Sequence, residues 1–71
     1  MNVGQKIKQL RLENNLTQEE LAEKLGKAKS TISMYENGNR EPDYETLEEI
    51  ADYFNVSIEY LLKRTDNPIK N

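Results

Sequence analysis

Three glutamates, Glu19, Glu20 and Glu23, lie within five residues and form a cluster of acid–base side chains. Catalysis would require them to converge with a histidine, a thiolate or a glycine-rich phosphate loop. The 71 residues include no His and no Cys, and the three Gly stand singly. On a helix these carboxylates ride an exposed face, so the expectation is a non-enzyme with neither metal nor cofactor. A second grouping offers different chemistry. Lys29, Ser30, Ser33 and Met34 are spaced to place hydrogen-bond donors and one thioether on a single helical face. Such a set suits recognition by contact, not bond making.

The elements that would position this face can be read from periodicity and stop signals. The expected architecture is all-α, with five helices, short connections and no strand. Val3, Ile7 and Leu10 give a first helix one apolar stripe, and Asn14-Asn15 ends it. Thr17 caps a second helix, with Glu20 three residues on completing a capping box. Leu21, Ala22 and Leu25 are its buried side, and Gly26 stops it. A third helix, Lys29 to Asn37, buries Ile32 and Tyr35. Asp43 caps the fourth, which carries Leu47, Ile50, Ala51 and Phe54 at i, i+3, i+4, i+7. Asn55 stops it, Ser57 caps the fifth, and Ile58, Leu61 and Leu62 close the core. Residues 1–64 are expected to form one domain, and 65–71 a flexible tail or the start of a linker.

Two short helices joined by three or four residues must cross steeply. In residues 18–37, QEELAEKLGKAKSTISMYEN, Ala22 permits close approach and Gly26 supplies the positive φ that the turn needs. With Ile32 and Tyr35 turned inward, Lys29, Ser30, Ser33 and Met34 face out. That face fits the major groove, about 12 Å wide; a plain helical hairpin within a core is the alternative.

Charge permits this reading without establishing it. The net charge is −3, but residues 1–40 balance at +2 and residues 41–71 at −5. The split is either a mildly basic DNA face backed by an acidic one, or a solvated acidic surface. No aliphatic run exceeds two residues, as at Leu61-Leu62, and Met1 to Lys8 hold no signal-peptide core. A cytoplasmic location is the default.

LTQEELAEKLG followed by STISMYENGNREP, with the closing NVSIEYLL, resembles the Cro and phage-repressor (Xre-type) helix-turn-helix family over residues 3–63. The resemblance implies a five-helix, lambda-repressor-like fold and a transcriptional regulator, most simply a repressor of bacterial or phage genes. It also implies a dimer, at least on DNA, binding a palindromic operator. Lys29, Ser30, Ser33 and Met34 are then the base-contacting residues. Lys29 has donors for guanine O6 and N7, and Met34 an apolar surface for a thymine methyl. Met34 as a flexible core filler stays open.

Gln18, Lys27, Thr31, Asn37 and Arg40 are assigned to phosphate. The bland readings are a helix former for Gln18 and a solvated loop charge for Arg40. Arg11 and Glu36 match a structural ion pair of the family. Val56, Ile58, Glu59 and Tyr60 mark the implied dimer surface, with Ile58 alternatively in the core. In place of an apolar residue and a Ser or Thr cap, this chain has Lys27-Ala28, which puts the start of the third helix in question. A competing reading is an antitoxin-type interaction module whose acidic half meets a partner protein while the third helix autoregulates its operon.

Overall fold

The computed structural model describes residues 2–69 and contains α1 (Val3–Glu13), α2 (Gln18–Leu25), α3 (Lys29–Asn37), α4 (Tyr44–Phe54) and α5 (Ile58–Leu61). This is the expected all-α, five-helix layout. The ends of the helices explain it. Four starts carry a side-chain cap: Asn2, Thr17, Asp43 and Ser57 each accept the N–H three residues on, from Gln5, Glu20, Thr46 and Tyr60. Each satisfies a donor that the first turn leaves free. The start of α3 is the exception, because Ala28 has no side-chain acceptor to offer.

All five helices stop alike. Asn15, Gly26, Gly38, Asn55 and Lys63 take positive φ, between 57° and 79°. In each case the next N–H reaches the carbonyl five residues back, as from Lys27 to Ala22 (2.8 Å) and from Asn39 to Met34 (3.0 Å). The turn joining α2 to α3 is therefore a Schellman stop on Gly26 followed directly by α3.

The stripes read from periodicity meet in one core. Ile7, Leu10, Leu21, Ala22, Ile32, Tyr35, Leu47, Ile50, Ala51, Val56 and Leu61 are buried, and Val3, Leu25, Phe54, Ile58 and Leu62 pack half-buried around them. α3 lies against both α1 and α2, while α4 spans from α2 to α5. The radius of gyration is 10.9 Å and the longest dimension 29 Å.

Three features could not be read from the pattern. Gly4 is buried against the end of α3, where a Cβ would come within 2.0 Å of the Tyr35 carbonyl oxygen. Lys6, a charged residue beside the apolar stripe, is buried too; its Nζ stands 4.2 Å from the centroid of the Tyr60 ring. Residues 65–69, in the expected tail, make hydrogen bonds of their own. Thr65 and Asn67 side chains turn this segment through bonds to the N–H groups two residues on, and the Pro68 carbonyl accepts from Ser57 N–H at 3.1 Å. The last two positions of the expected tail, Lys70 and Asn71, lie outside the described residues.

Candidate nucleic-acid interface

Orientation of α3 rests on a buried ionic junction. The Arg11 guanidinium grips Glu36 through two parallel bonds, Nε to Oε2 at 2.7 Å and Nη2 to Oε1 at 3.0 Å. Its remaining arm, Nη1, donates to the Leu16 carbonyl at 2.8 Å. The side chains are 9% and 2% exposed, so this bidentate pair works in a desolvated setting where charge-assisted bonds are strong. Glu36 Oε1 accepts a third donor, Gln18 Nε2, at 3.1 Å. One carboxylate thus joins the last turn of α1, the first residue of α2 and the last turn of α3. Among the described residues no buried side-chain polar atom lacks a hydrogen-bond partner.

Above that junction α3 divides cleanly. Ile32, Tyr35 and Glu36 point inward, Lys29 and Ser30 are exposed, and Thr31, Ser33 and Met34 are half-exposed. The four residues assigned to base contact therefore share an accessible face. α3 begins at Lys29, as periodicity suggests, despite the missing cap. Ala28 is exposed, and its carbonyl takes the N–H groups of Thr31 (3.0 Å) and Ile32 (3.3 Å). The N–H groups of Lys29 and Ser30 precede these and have no intrahelical acceptor. An uncapped, positively polarised helix end with a lysine and a serine on it is suited to anionic and hydrogen-bonding partners.

The residues assigned to phosphate fall into three settings. Gln18, the first residue of α2, and Thr31, in the first turn of α3, are half-buried, and the Gln18 amide is oriented by Glu36. Asn37 is exposed at the end of α3, with Nδ2 3.4 Å from Ser33 Oγ, and Arg40 is exposed in the following loop. Lys27 is turned toward α4 instead, with Nζ 3.9 Å from Glu49 Oε1. Sequence reasoning missed this because Glu49 lies 22 residues away and belongs to an exposed acidic face with no local sign of a partner.

Two surface carboxyls are tuned by their capping roles. Thr17 backbone N–H donates to Glu20, and the Thr17 hydroxyl adds to this, holding the Glu20 carboxyl below its usual range. Asp43 is lowered chiefly by side-chain hydrogen bonding with Thr46, then by the Thr46 N–H, with smaller help from Lys27 and Arg40.

The residues assigned to a dimer surface are not equivalent. Val56 is 6% exposed and belongs to the core of its own chain, so little of it is left for a partner. Ile58 and Tyr60 are half-buried, the latter with Lys6 over its ring, and Glu59 is exposed. Among the described residues no helix is long and apolar enough to cross a membrane, and no group of His, Cys, Asp or Glu could hold a metal ion.

Comparison with known proteins places this geometry. Residues 7–61 match the family described as Helix-turn-helix. The HTH-type transcriptional regulator YqaE of Bacillus subtilis is 43% identical over 64 residues, covering 90% of this chain and 55% of YqaE. The chain spans a little over half the length of such curated relatives. Among solved structures, the P22 c2 repressor in complex with a synthetic operator superposes with a TM-score of 0.84 at 28% identity, over 92% of this chain and 98% of that one. SinR, a master regulator for biofilm formation solved in complex with DNA, gives 0.76 at 40% identity, over 83% of this chain and 95% of that one.

Proposed function

The chain belongs to the Xre/Cro-type helix-turn-helix family of transcriptional regulators, and from that premise we propose that it represses bacterial or phage genes by binding a palindromic operator as a dimer. The observation that carries the reading is the division of α3: its apolar and ion-paired side is locked into the core, and Lys29, Ser30, Ser33 and Met34 are left together on the outside. A helix held that rigidly can lay its outer face in the major groove. Lys29 would donate to guanine, the serines to several base edges, and Met34 would meet a thymine methyl. Gln18, Thr31, Asn37 and Arg40 would hold the flanking phosphates, with Lys27 joining them once it leaves Glu49.

Size supports two copies. Half-sites read from one face of DNA lie about 34 Å apart, farther than this domain's 29 Å length, so each copy covers one half-site. Ile58, Glu59 and Tyr60 on α5 supply the self-complementary surface, with Val56 supporting it from beneath. Selection of preferred duplexes from a random library by the purified protein tests the proposal. An inverted repeat with centres about 10 base pairs apart is expected; recovery of no common sequence would refute it.

A second reading draws on the acidic balance of residues 41–71. That half would serve a protein partner, in the manner of an antitoxin-type module that also regulates its own operon. Purification of the chain with its genomic neighbour as a stable heterocomplex would favour this reading, and isolation only as a homodimer would count against it.

A further inference from the structure

Lys27 follows Gly26 in the turn that delivers α3, so its ammonium is tethered beside the end of the helix that Lys29 and Ser30 open. Unlike Lys29, which is exposed, Lys27 is 32% exposed in its side chain and leans onto α4, where Glu49 Oε1 lies 3.9 Å from Nζ. Asp43, the cap of α4, feels the positive charge of both Lys27 and Arg40. Two carboxylates, Asp43 at the start of α4 and Glu49 in its middle, are thus set against two cations that would otherwise face phosphates beside α3.

A carboxylate at this distance and geometry offers a lysine what a phosphate oxygen offers it: a partly solvated anion. We infer that Glu49 is an internal substitute for a DNA phosphate, holding Lys27 until the domain docks and thereby weakening non-specific binding. This rests on the DNA-binding reading above. The ammonium exchanges one anion for another on binding, so its contact yields less than that of an unpaired lysine. The cost falls equally on scrambled and matched duplexes, and it shows most plainly on a scrambled one, which is held by phosphate contacts alone. Glu49 would therefore lower the phosphate-driven part of the affinity, common to every sequence, from a position that touches no base.

The test is a double-mutant cycle on the whole chain, read as binding to a scrambled duplex across a salt series. Glu49→Gln should tighten non-specific binding about two- to fivefold at low salt, the range for one exposed ion pair. It should also steepen log K against log salt by up to about 0.9, the contribution of one further phosphate contact. In a Lys27→Met background the same change should give no more than the small gain of removing any surface carboxylate. Glu48→Gln, on the side of α4 that faces α5, is the charge-matched control and should give less than about a twofold gain. An equal gain from Glu49→Gln with and without Lys27, an equal gain from Glu48→Gln, or no gain at all would overturn the inference. Absence of any complex between the unaltered protein and DNA would instead refute the function on which it rests.

Discussion

The two halves of this domain are fastened by different means. From α1 to α3 the fixings are directional and desolvated: a bidentate Arg11–Glu36 pair, the Gln18 amide on the same carboxylate, and the backbone of Gly4 against that of Tyr35. In α4 and α5 the fixings are apolar packing around Ile50 and Leu61 and the caps Asp43 and Ser57. Apolar contact tolerates small displacements, while paired hydrogen bonds between charges do not. The half that must set the angle of α3 carries the intolerant fixings. The other half closes the core and carries most of the acidic charge.

If that contrast is real, the largest loss should come from the ionic junction. Arg11→Met leaves the Glu36 carboxylate buried with Gln18 as its remaining side-chain partner, and should cost about 3–5 kcal/mol in urea unfolding. In a domain of this size that approaches the whole stability. Gly4→Ala comes next, at about 1–3 kcal/mol, because the added methyl forces α1 away from the end of α3. A loss under about 0.5 kcal/mol would mean that the two helices slide freely and that the contrast is overdrawn.

A finer comparison pits a cap in each half. Thr17→Ala and Ser57→Ala should each cost about 1 kcal/mol. Only Thr17→Ala should also weaken DNA binding beyond its loss of folded protein, since Thr17 starts the helix that carries Gln18. Titration against an operator with fluorescence anisotropy separates the two effects. The smallest effect is the pH response. Glu20 and Asp43 both have lowered carboxyl pKa values in the folded state, so their stabilisation is complete above the ordinary carboxylate range. It fades as pH falls through the lowered values. The urea midpoint of the native protein should therefore drop more steeply below about pH 4 than that of a Glu20→Gln/Asp43→Asn variant, which keeps both caps without the charges.

Much of this was legible because it is local. Thr17 with Glu20, Gly26, Asp43, Asn55 and Ser57 act within four residues of themselves, and each marks the helix end where its side chain or φ predicts it. The stripes on α1 to α5 followed from spacing alone. What stayed hidden was contact between distant segments. Nothing around Gly4 or Lys6 announces Tyr35 or Tyr60, and the short run Thr65 to Ile69 has no periodicity to reveal that Pro68 returns to Ser57. Asn2 and Gln5 form a capping box as complete as that of Thr17 and Glu20, and could have been found from the same spacing. The Arg11–Glu36 pair, 25 residues apart, came from family resemblance, and the structure gives its geometry. Gln18 shows the limit of such transfer: the resemblance assigns it to phosphate, while its amide also completes the junction beneath α3.

The central claim is that the outer face of α3 reads sequence while the junction below holds it in place. Parallel DNA selections with the native protein and a Lys29→Gln/Met34→Gln variant test it most directly, alongside unfolding curves of both. Both residues are at least partly exposed, so the two curves should nearly coincide. The selected sites should keep the same half-site spacing but differ at the base pairs under α3. An unchanged preferred sequence from a folded variant would contradict the claim.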